Sequence, residues 1–456
     1  MRPSSLRFLS DACSGILEGD PNVLVKDIKI DSRECGEGDL FVCIVGEKNN
    51  GHDYIKSAFN QGCKNFLVSE DIHMEGANFI CVDDTLKGLQ KMAGGYLAQF
   101  PVRKVAVTGS VGKTTTKMLT AAVMSSRFRT VTTPKNYNSE IGTCLTAFLV
   151  DETTEAIVFE MGMDEKGQLA RKVAWTKPQV ALITNVGISH LERLGSRDAI
   201  ADAKLEIVNE FTEENTLIVN AESDYLKTHA EIRERATNKE PFKIISIGQD
   251  IVIEDAKSLG IDGISFKIKD VQFKLPLIGL HNAVDAALAV ACGVQFGIST
   301  SAAAKALANV VATDKRLKIE KISGIILIDD SYNASPDSVR AGIAAIAGVR
   351  ARRRILVLGD MLELGYEADA GHKAVGKFAA KQGADMILAC GNKKDYYRQG
   401  VLEAGDDARC IFTGFETLSE LEEYLKGFLK EGDAVLVKGS NSTGISKVAE
   451  YIRSNF

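Results

Sequence analysis

Hydrophobic and polar positions alternate along this chain in a way that is typical of an α/β protein. Short apolar runs rich in β-branched residues predict buried strands, and most are followed by a longer segment with helical periodicity. These runs are residues 27–31, 39–45, 65–68, 105–107, 155–160, 179–185, 215–220, 242–247, 325–330, 354–358, 385–389 and 434–438. Because strands that alternate with helices form parallel sheets, the pattern predicts sheets with helices packed on both faces.

Three predicted domains follow from the places where this pattern is interrupted. A proline and a basic pair end a small N-terminal α/β domain, residues 1–100. Residues 101–313 form a central domain, predicted to be a parallel sheet like that of P-loop ATPases. Near its end, residues 263–269 and 271–275 alternate strictly, like antiparallel strands with one face in water. Residues 314–456 predict a dinucleotide-binding-like α/β domain, although no Gly-x-Gly-x-x-Gly sequence follows its first strand and its ligand stays open.

A glycine-rich turn between a predicted strand and a predicted helix is the clearest chemical signal. Its sequence is Thr-Gly-Ser-Val-Gly-Lys-Thr-Thr, residues 108–115. Glycines in such a turn let backbone N–H groups converge on a phosphate, and the helix start adds the positive end of its dipole. Lys113 would supply charge for the β and γ phosphates of ATP, and the Thr114 hydroxyl is placed for Mg²⁺. Because Gly109 and Gly112 are closer together than in the common P-loop, the alternative is an ordinary glycine turn with a solvated lysine.

Composition and charge narrow the possible functions. The chain has 456 residues, of which 45% are hydrophobic and 25% are charged, enough for several packed cores. Its net charge of −6 argues against a general nucleic-acid binder, so an anionic ligand would need local positive groups. Nine cysteines with no Cys-x-x-Cys pair predict reduced thiols and not a zinc site or disulfide framework. No signal-peptide pattern or membrane-length apolar run is present in the sequence, so we expect a cytoplasmic protein with no membrane insertion.

Polar residues follow two later strands of the predicted central sheet. Glu160 closes one of these strands, and His190 lies just after the next. Ligands of open α/β sheets bind beyond the carboxyl ends of the strands, so both side chains are expected near the glycine turn. A carboxylate and an imidazole there could hold a divalent ion, although each alone could equally be a capping carboxylate or a hydrogen-bonded loop histidine. Lys204 lies in a helical segment and, by periodicity, is an ordinary helical lysine.

Two polar clusters in the N-terminal domain also lie at predicted strand ends. They are Asp31-Ser32-Arg33 and residues 49–53, Asn-Asn-Gly-His-Asp. Such loops often hold ligands, but an Asp-Ser-Arg triplet is also a common capped turn with a solvated arginine.

Seven motifs occur in an order that resembles the Mur ligase family of ATP-dependent amide-bond ligases. They begin at Thr108, Asn136, Glu160, Thr184, Ala203, Gly279 and Asp330, and read TGSVGKTT, NYN, EMGM, TNVGISH, AKLE, GLHN and DSYNASP. The last motif, with Leu358–Gly365 and Lys438–Ser440, is similar to the members that add D-alanyl-D-alanine to UDP-N-acetylmuramoyl-tripeptide. The resemblance extends over nearly the whole chain.

The resemblance implies a ligase of cytoplasmic peptidoglycan precursor synthesis. ATP would phosphorylate the terminal carboxylate of UDP-N-acetylmuramoyl-tripeptide, and the amine of D-alanyl-D-alanine would then attack the acyl phosphate. The implied cofactors are ATP, two Mg²⁺ ions and a carbamylated Lys204. The implied partners are the two substrates, with no nucleic acid, and we expect a monomer.

The same resemblance assigns roles to individual residues. The implied ATP-binding residues are Gly109, Ser110, Val111, Gly112, Lys113, Thr114, Thr115, Asn282, Arg316 and Asp330. The implied metal ligands are Thr114, Glu160, His190 and, if carbamylated, Lys204. The implied substrate-binding residues are Ser32, Arg33, Asn50, Gly51, His52, Asn136, Asn138, Asn333 and Ser335. The implied catalytic residues are Lys113, Glu160, His190, Lys204 and Arg316.

Three positions depart from the family pattern, and other functions stay open. Asp285 stands where the family usually has asparagine, Asn50 where it commonly has aspartate, and Asn441 where arginine is more usual. One alternative is a related ligase, either the tripeptide-forming Mur ligase or a folylpolyglutamate synthase; the diaminopimelate-adding enzyme is disfavoured because no Asp-Asn-Pro-Arg motif is present. A nucleotide-hydrolysing switch or transport module would need the glycine turn alone.

Overall fold

The computed structural model describes residues 1–223, 225–238, 240–405 and 409–456. It is an α/β protein built on three larger sheets, as the hydrophobic pattern predicts. Every cysteine is free, in agreement with the prediction of reduced thiols. Within the described ranges, no helix is long and apolar enough to cross a membrane.

The N-terminal unit is a five-stranded sheet in the order β2-β7-β6-β5-β4, parallel except for β2. Strands β1 and β3 form a separate antiparallel pair. The elements are β1 (Ser4–Ser5), α1 (Leu6–Cys13), β2 (Ile16–Glu18), β3 (Leu24–Val25), β4 (Asp27–Lys29), β5 (Asp39–Val42), α2 (Ile55–Asn60), β6 (Asn65–Val68), β7 (Asn78–Cys81) and α3 (Thr85–Leu97). Both predicted polar clusters fold into single 3₁₀ turns, Ser32–Glu34 and Gly51–Tyr54.

The central unit is a six-stranded, fully parallel sheet in the order β13-β12-β11-β8-β10-β9. Its elements are β8 (Arg103–Thr108), α4 (Lys113–Ser125), β9 (Thr130–Thr132), α5 (Glu140–Ala147), β10 (Ala156–Glu160), α6 (Gln168–Thr176), β11 (Val180–Ile183), α7 (Leu191–Leu194), α8 (Arg197–Leu205), β12 (Thr216–Asn220), α9 (His229–Arg235) and β13 (Lys243–Ile247). An antiparallel sheet and two helices complete it: β14 (Ile253–Ser258), β15 (Ile264–Ile268), β16 (Val271–Leu275), α10 (Asn282–Gln295) and α11 (Thr300–Leu307).

Alternate residues of β8 face the two helical layers that cover this sheet. Val105 and Val107 belong to the core that includes α4 and α10. Ala106 belongs to the opposite core, which includes α3, α5 and α6. The prediction of a parallel sheet with helices on both faces is therefore confirmed.

The third unit is a six-stranded sheet in the order β17-β18-β22-β19-β20-β21, in which β17 alone runs antiparallel to its neighbour. Its elements are β17 (Lys318–Ile322), β18 (Ile325–Asp329), α12 (Pro336–Ala347), β19 (Arg353–Leu358), α13 (Ala368–Lys381), β20 (Met386–Cys390), α14 (Lys394–Leu402), β21 (Ile411–Phe415), α15 (Leu418–Phe428), β22 (Asp433–Lys438) and α16 (Ser446–Asn455).

The N-terminal unit shares a continuous core with one face of the central sheet, through α3. The Tyr96 ring lies 5.2 Å from the ring of Phe148, and its hydroxyl donates a 2.6 Å hydrogen bond to the Val150 carbonyl. Tyr96 and Phe148 are both buried. Apolar burial on this scale is the main stabilising term in folding, so the two units are held together by packing as well as by the chain.

Candidate active site

The strand order of the central sheet brings three distant motifs to one edge. Strand β8 lies between β10 and β11, and its end is in register with theirs: Glu160 pairs with Val107, and Ile183 with Thr108. The glycine turn after β8 therefore lies beside Glu160 and beside the segment that leads to His190. Parallel strands place their carboxyl ends on a common edge, which is where open α/β sheets bind ligands.

Both glycines of the turn are required by its shape. Gly109 has φ +150°, and a Cβ there would lie 1.8 Å from the Thr184 hydroxyl oxygen. Gly112 has φ +84° and begins α4, and a Cβ there would lie 2.9 Å from the Asp285 carboxylate. Such close approach and positive φ are possible only without a side chain.

The turn is held in place by its own polar contacts. The backbone N–H groups of Ser110 and Val111 donate to the Asn185 side-chain oxygen at 3.1 and 2.9 Å. The Lys113 ammonium donates to the Gly109 carbonyl at 2.7 Å and to the Ser110 carbonyl at 3.2 Å. Burial is the main cause that lowers the pKa of Lys113. Lys113 therefore lies over the turn, where it can meet an anionic ligand.

Glu160 is buried beside the start of α4. Its Oε1 accepts hydrogen bonds from the Thr114 hydroxyl at 3.0 Å and from the Asn138 amide at 2.9 Å. Its Oε2 accepts no hydrogen bond from the residues that the structure describes, and the Lys117 ammonium lies 3.3 Å away as an ion-pair partner. Mg²⁺ prefers oxygen ligands, such as hydroxyl and carboxylate oxygens. The Thr114 hydroxyl and the free Glu160 Oε2 are two such oxygens, so these residues fit one ion.

His190 lies on the other side of the same cavity, between two acidic side chains. It has φ 65°, uncommon for a residue with a side chain. Its Nδ1 lies 3.3 Å from both the Asp164 and Glu363 carboxylates. In the described part of the chain, no group of three or more His, Cys, Asp or Glu side chains is arranged to hold a metal. A second ion at Glu160 and His190 would therefore need a further anionic ligand.

Lys204, which periodicity alone gives as an ordinary helical lysine, lies in an unusual environment. It is 1% exposed, and among the described residues no carboxylate offsets the burial of its ammonium. Burial first, and then repulsion by Lys113, hold the pKa of Lys204 well below its usual value. A buried unpaired charge is costly, so the neutral amine is favoured.

The third unit contributes cations and polar groups to the same cavity. Arg316 donates from Nη2 to the Thr114 hydroxyl at 3.3 Å, and its guanidinium lies 4.1 Å from the centre of the Tyr332 ring. Asp330 forms a buried 2.6 Å ion pair with Lys438. Asn333 and Ser335 line the cavity too, and the Ser335 hydroxyl caps the start of α12.

The cavity that these groups surround has a volume of about 500 Å³. Asn282 and Asp285 lie on the side of the cavity where the family resemblance implies ATP binding. The Asn282 amide donates to the Ile278 carbonyl at 2.7 Å, and Asp285 is buried. Burial raises the pKa of Asp285 to about 7, against the smaller effect of the Thr116 hydroxyl that donates to it at 3.0 Å. The implied site residues that line the cavity are Ser110, Val111, Gly112, Lys113, Thr114, Thr115, Asn138, Glu160, His190, Asn282, Arg316, Asp330, Asn333 and Ser335.

Eight implied residues lie outside this lining. Lys204 and Gly109 lie behind it, and Ser32, Arg33, Asn50, Gly51 and His52 belong to the N-terminal unit. There, Arg33 is exposed and pairs with Asp31 at 2.5 Å. The His52 ring contacts the Asn50 oxygen at 2.7 Å and accepts a hydrogen bond from the Ser69 N–H. Asn136, also outside the lining, lies on the segment before α5, and its side chain slightly opposes the effect of burial, which raises the pKa of Tyr332.

Sequence reasoning missed several charged residues around the cavity. Lys117 and Lys172 are buried but lie on helices where a lysine normally points to solvent, so periodicity gives no signal for them. Lys438 was noticed only as part of a motif, and its ion pair with Asp330 is a tertiary contact.

Family profiles and relatives agree with this geometry. Residues 24–105 match the Mur ligase family catalytic domain, 107–293 the Mur ligase middle domain and 315–441 the Mur ligase glutamate ligase domain. The chain is 33% identical to the UDP-N-acetylmuramoyl-tripeptide--D-alanyl-D-alanine ligase of Bacillus subtilis, with 94% of this chain and 93% of that protein aligned. The ligase of the same name from Escherichia coli is 31% identical, with 99% and 98% aligned.

Solved structures of Mur ligases share the whole fold of this chain. MurF from Acinetobacter baumannii superposes with a TM-score of 0.90 at 26% identity, covering 100% of this chain and 99% of that one. MurF from Thermotoga maritima in complex with ADP has the same fold, with a TM-score of 0.82 at 23% identity and coverage of 94% and 98%. Since sequence, fold and the convergence of the motifs on one cavity agree along the whole length, the chain belongs to the Mur ligase family.

Proposed function

We propose that this chain joins D-alanyl-D-alanine to UDP-N-acetylmuramoyl-tripeptide, with conversion of ATP to ADP and phosphate. The tripeptide's terminal carboxylate attacks the γ-phosphate and forms an acyl phosphate, and ADP leaves. The dipeptide amine then attacks the acyl carbon, and phosphate leaves as the amide forms. The names of the full-length relatives, which share up to 33% identity with this chain, support this substrate pair.

The observation that carries the proposal is the convergence of Lys113, from the central unit, and Arg316, from the third unit, on one cavity in a chain of net charge −6. Carboxylate and triphosphate repel each other, so any enzyme that joins them must supply compensating charge. Lys113 and Arg316 line the cavity. Lys117 and Lys204 lie buried behind it. Cations from two units that face one cavity suit two anionic reactants that meet there.

Each implied residue has a role in this reaction that fits its position. Lys113, Arg316 and the turn from Gly109 to Thr115 would hold the phosphates, with Asn282 at the adenine and Asp330 at the ribose. Asn333 and Ser335 would lie near the incoming dipeptide. Residues 314–456 would thus supply dipeptide and nucleotide contacts, residues 101–313 the main ATP site and residues 1–100 the site for the UDP sugar.

Lys204 and the metal ligands form a second part of the proposal. A neutral, buried amine can add CO₂ and lose a proton, which gives an anionic carbamate beside Lys113. That anion, with Glu160 and His190, would complete a second Mg²⁺ site after the one at Thr114 and Glu160. Bound Mg²⁺ would neutralise phosphate charge and so favour attack by the carboxylate.

The UDP-sugar site would be the separate cluster of the N-terminal unit. Ser32 and Arg33 lie on one 3₁₀ turn there, and Asn50, Gly51 and His52 on or beside the other. Asn136 and Asn138 would contact the same substrate nearer the cavity. We propose cytoplasmic location and a monomer, in keeping with a soluble nucleotide-linked substrate.

The test is ADP release with each substrate present or withheld, together with the mass of the product. We expect full turnover only when ATP, Mg²⁺, UDP-N-acetylmuramoyl-tripeptide and D-alanyl-D-alanine are all present, with a product larger by one dipeptide. Lysine- and diaminopimelate-containing tripeptides should be compared. ATP hydrolysis without acceptor or dipeptide would indicate a switch or transport module, and turnover with a free amino acid would indicate a related ligase. Lys113→Ala serves as the inactive control.

A further inference from the structure

The segment Thr133–Asn138, here called the bridging segment, joins the end of β9 to α5. It has no regular structure: Lys135 has φ 46°, and the Asn138 N–H donates to the Asn136 carbonyl at 2.6 Å. Its carbonyl groups lie beyond the last pairing of β9 with β10, which ends at Thr132. Backbone carbonyls away from sheet and helix need other donors when they are buried.

Lys117 supplies donors from one face of the sheet. It lies on α4, and its ammonium donates to the Thr133 carbonyl at 2.9 Å and to the Lys135 carbonyl at 3.0 Å. The same ammonium is 3.3 Å from Glu160 Oε2. One buried cation therefore joins the first half of the bridging segment to the carboxylate beside the glycine turn.

Lys172 supplies donors from the opposite face. It lies on α6, and its ammonium donates to the Asn138 carbonyl at 2.8 Å and to the Gly162 carbonyl at 2.6 Å. It is 1% exposed, and within the described residues no carboxylate pairs with it. Burial lowers the pKa of Lys172 to about 8. The Asn138 carbonyl also accepts from the Gly162 N–H at 3.0 Å, and Lys172 lines the cavity as well. Because an apolar side chain would fill this space without the cost of burying an ammonium, the two carbonyl contacts give a reason for a lysine here.

We propose that Lys117 and Lys172 are positioning residues that clamp the bridging segment from both faces of the sheet, and so present Asn136 and Asn138 to the sugar–peptide substrate. The inference rests on the proposed function, in which this segment contacts that substrate. Under this proposal, the two lysines hold different parts of the site. Lys117 acts on the bridging segment and on Glu160, whereas Lys172 acts on the bridging segment and on the backbone after β10.

The test compares Lys172→Met with Lys166→Met. Methionine keeps the length of the side chain but removes charge and donors, and Lys166 is exposed on the loop just before α6. In the substrate-free protein, we expect amide hydrogen exchange of peptides covering residues 133–138 to rise about tenfold or more in Lys172→Met and to stay unchanged in Lys166→Met. We also expect the KM for UDP-N-acetylmuramoyl-tripeptide to rise about tenfold, while the KM for ATP stays within about twofold. Lys117→Met should raise both KM values.

Two results would overturn the inference. Unchanged exchange at residues 133–138 in Lys172→Met would show that the lysine does not hold the bridging segment, whatever the enzyme's substrate. Faster exchange with an unchanged KM for the UDP substrate would show that the bridging segment does not present substrate contacts. If Lys172→Met does not fold, Lys172→Leu, which also removes the charge and the donors, allows the same comparison. Because the exchange measurement needs no substrate, failure of the proposed reaction would be recognised separately.

Discussion

Buried ionisable side chains define the chemistry of this cavity at the scale of single residues. Lys117, Lys172, Lys204 and Lys438 are each at most 5% exposed, although lysine is rarely buried without a partner. Lys438 has Asp330, Lys117 has Glu160, and Lys172 has only carbonyl partners. Burial and the Lys113 charge both act against the Lys204 ammonium. Each lysine thus has a distinct electrostatic environment, and its substitution should have a distinct effect.

Lys204→Ala tests the proposed carbamate. We expect kcat/KM for the ligation to fall by about 10²–10³-fold, because an anionic ligand close to the phosphates is lost. Short-chain carboxylates such as acetate should restore part of the rate by entering the vacated space, and chloride at the same ionic strength should not. Steady-state ADP release measures both effects. An unchanged rate in the variant would make Lys204 a structural residue.

Asp285→Asn tests the raised pKa of this aspartate, which burial brings to about 7 in the fold from an ordinary value of 3.8. Between these values the folded protein keeps the proton and the unfolded chain releases it, so wild-type stability falls as pH rises from about 4 to 7. Asparagine keeps an oxygen acceptor for Thr116 and cannot ionise. At pH 8 the variant should therefore be more stable by roughly 3–4 kcal/mol, with little difference below pH 4.

Urea unfolding of both proteins between pH 4 and 8 measures this difference. Parallel stability profiles across that range would contradict the prediction. Asp285 also approaches Gly112 of the glycine turn, so ATP binding should be measured alongside unfolding.

At the scale of elements, nearly all residues of the site lie at the ends of helices and strands. The turn after β8, the end of β10 and the segment after β11 converge because these three strands are neighbours. The strand-and-helix pattern along the sequence located each of these ends, but it could not order the strands. The start of α12 is a further example, since the Ser335 hydroxyl and the Ser338 hydroxyl cap each other's backbone N–H groups. Proline at the first helical position made this cap predictable from sequence.

Ser335→Ala separates the capping role of this serine from a substrate contact. Loss of the cap should lower the free energy of unfolding by about 1 kcal/mol. Ser299→Ala is the matched control, because Ser299 caps α11 in the same way, with the Ala302 N–H at 3.2 Å, and does not line the cavity. We expect equal stability losses in both variants, but a higher KM for D-alanyl-D-alanine in Ser335→Ala alone. An equal KM for D-alanyl-D-alanine in the two variants would show that Ser335 caps the helix and does not contact the dipeptide.

The assembly of the three units completes the site at the scale of the whole molecule. The N-terminal unit is fixed by the core that α3 shares with the central sheet. The third unit faces the glycine turn through polar contacts: Arg316 to Thr114 and Glu363 to His190, each at 3.3 Å. Apolar contact is also present, because Ile278 of the central unit belongs to the core of the third unit. This contact is smaller than the core shared through α3, so motion between units is expected at the third unit first.

Arg316→Met tests whether the third unit contributes to the reaction through this contact. We expect kcat to fall by about 10²-fold or more, because a cation near the transferred phosphate is lost. Melting temperature should change little, because the guanidinium meets the central unit at a single hydroxyl. Lys315→Met is the control, since its ammonium pairs with Glu450 at 3.4 Å on the surface. Wild-type kcat in Arg316→Met would remove this residue from the mechanism.

The sequence by itself determined what depends on near neighbours in the chain. Strand-and-helix alternation, the glycine turn, the cap of α12 and the antiparallel pair at residues 264–275 all follow from local periodicity and backbone preference. Tertiary structure alone decided that β8 lies between β10 and β11, that α3 joins two units in one core, and that Lys117, Lys172 and Lys204 are buried. The reason is physical: the environment of a side chain is set by segments that pack against it from far along the chain, and a single sequence does not encode that packing in any local pattern.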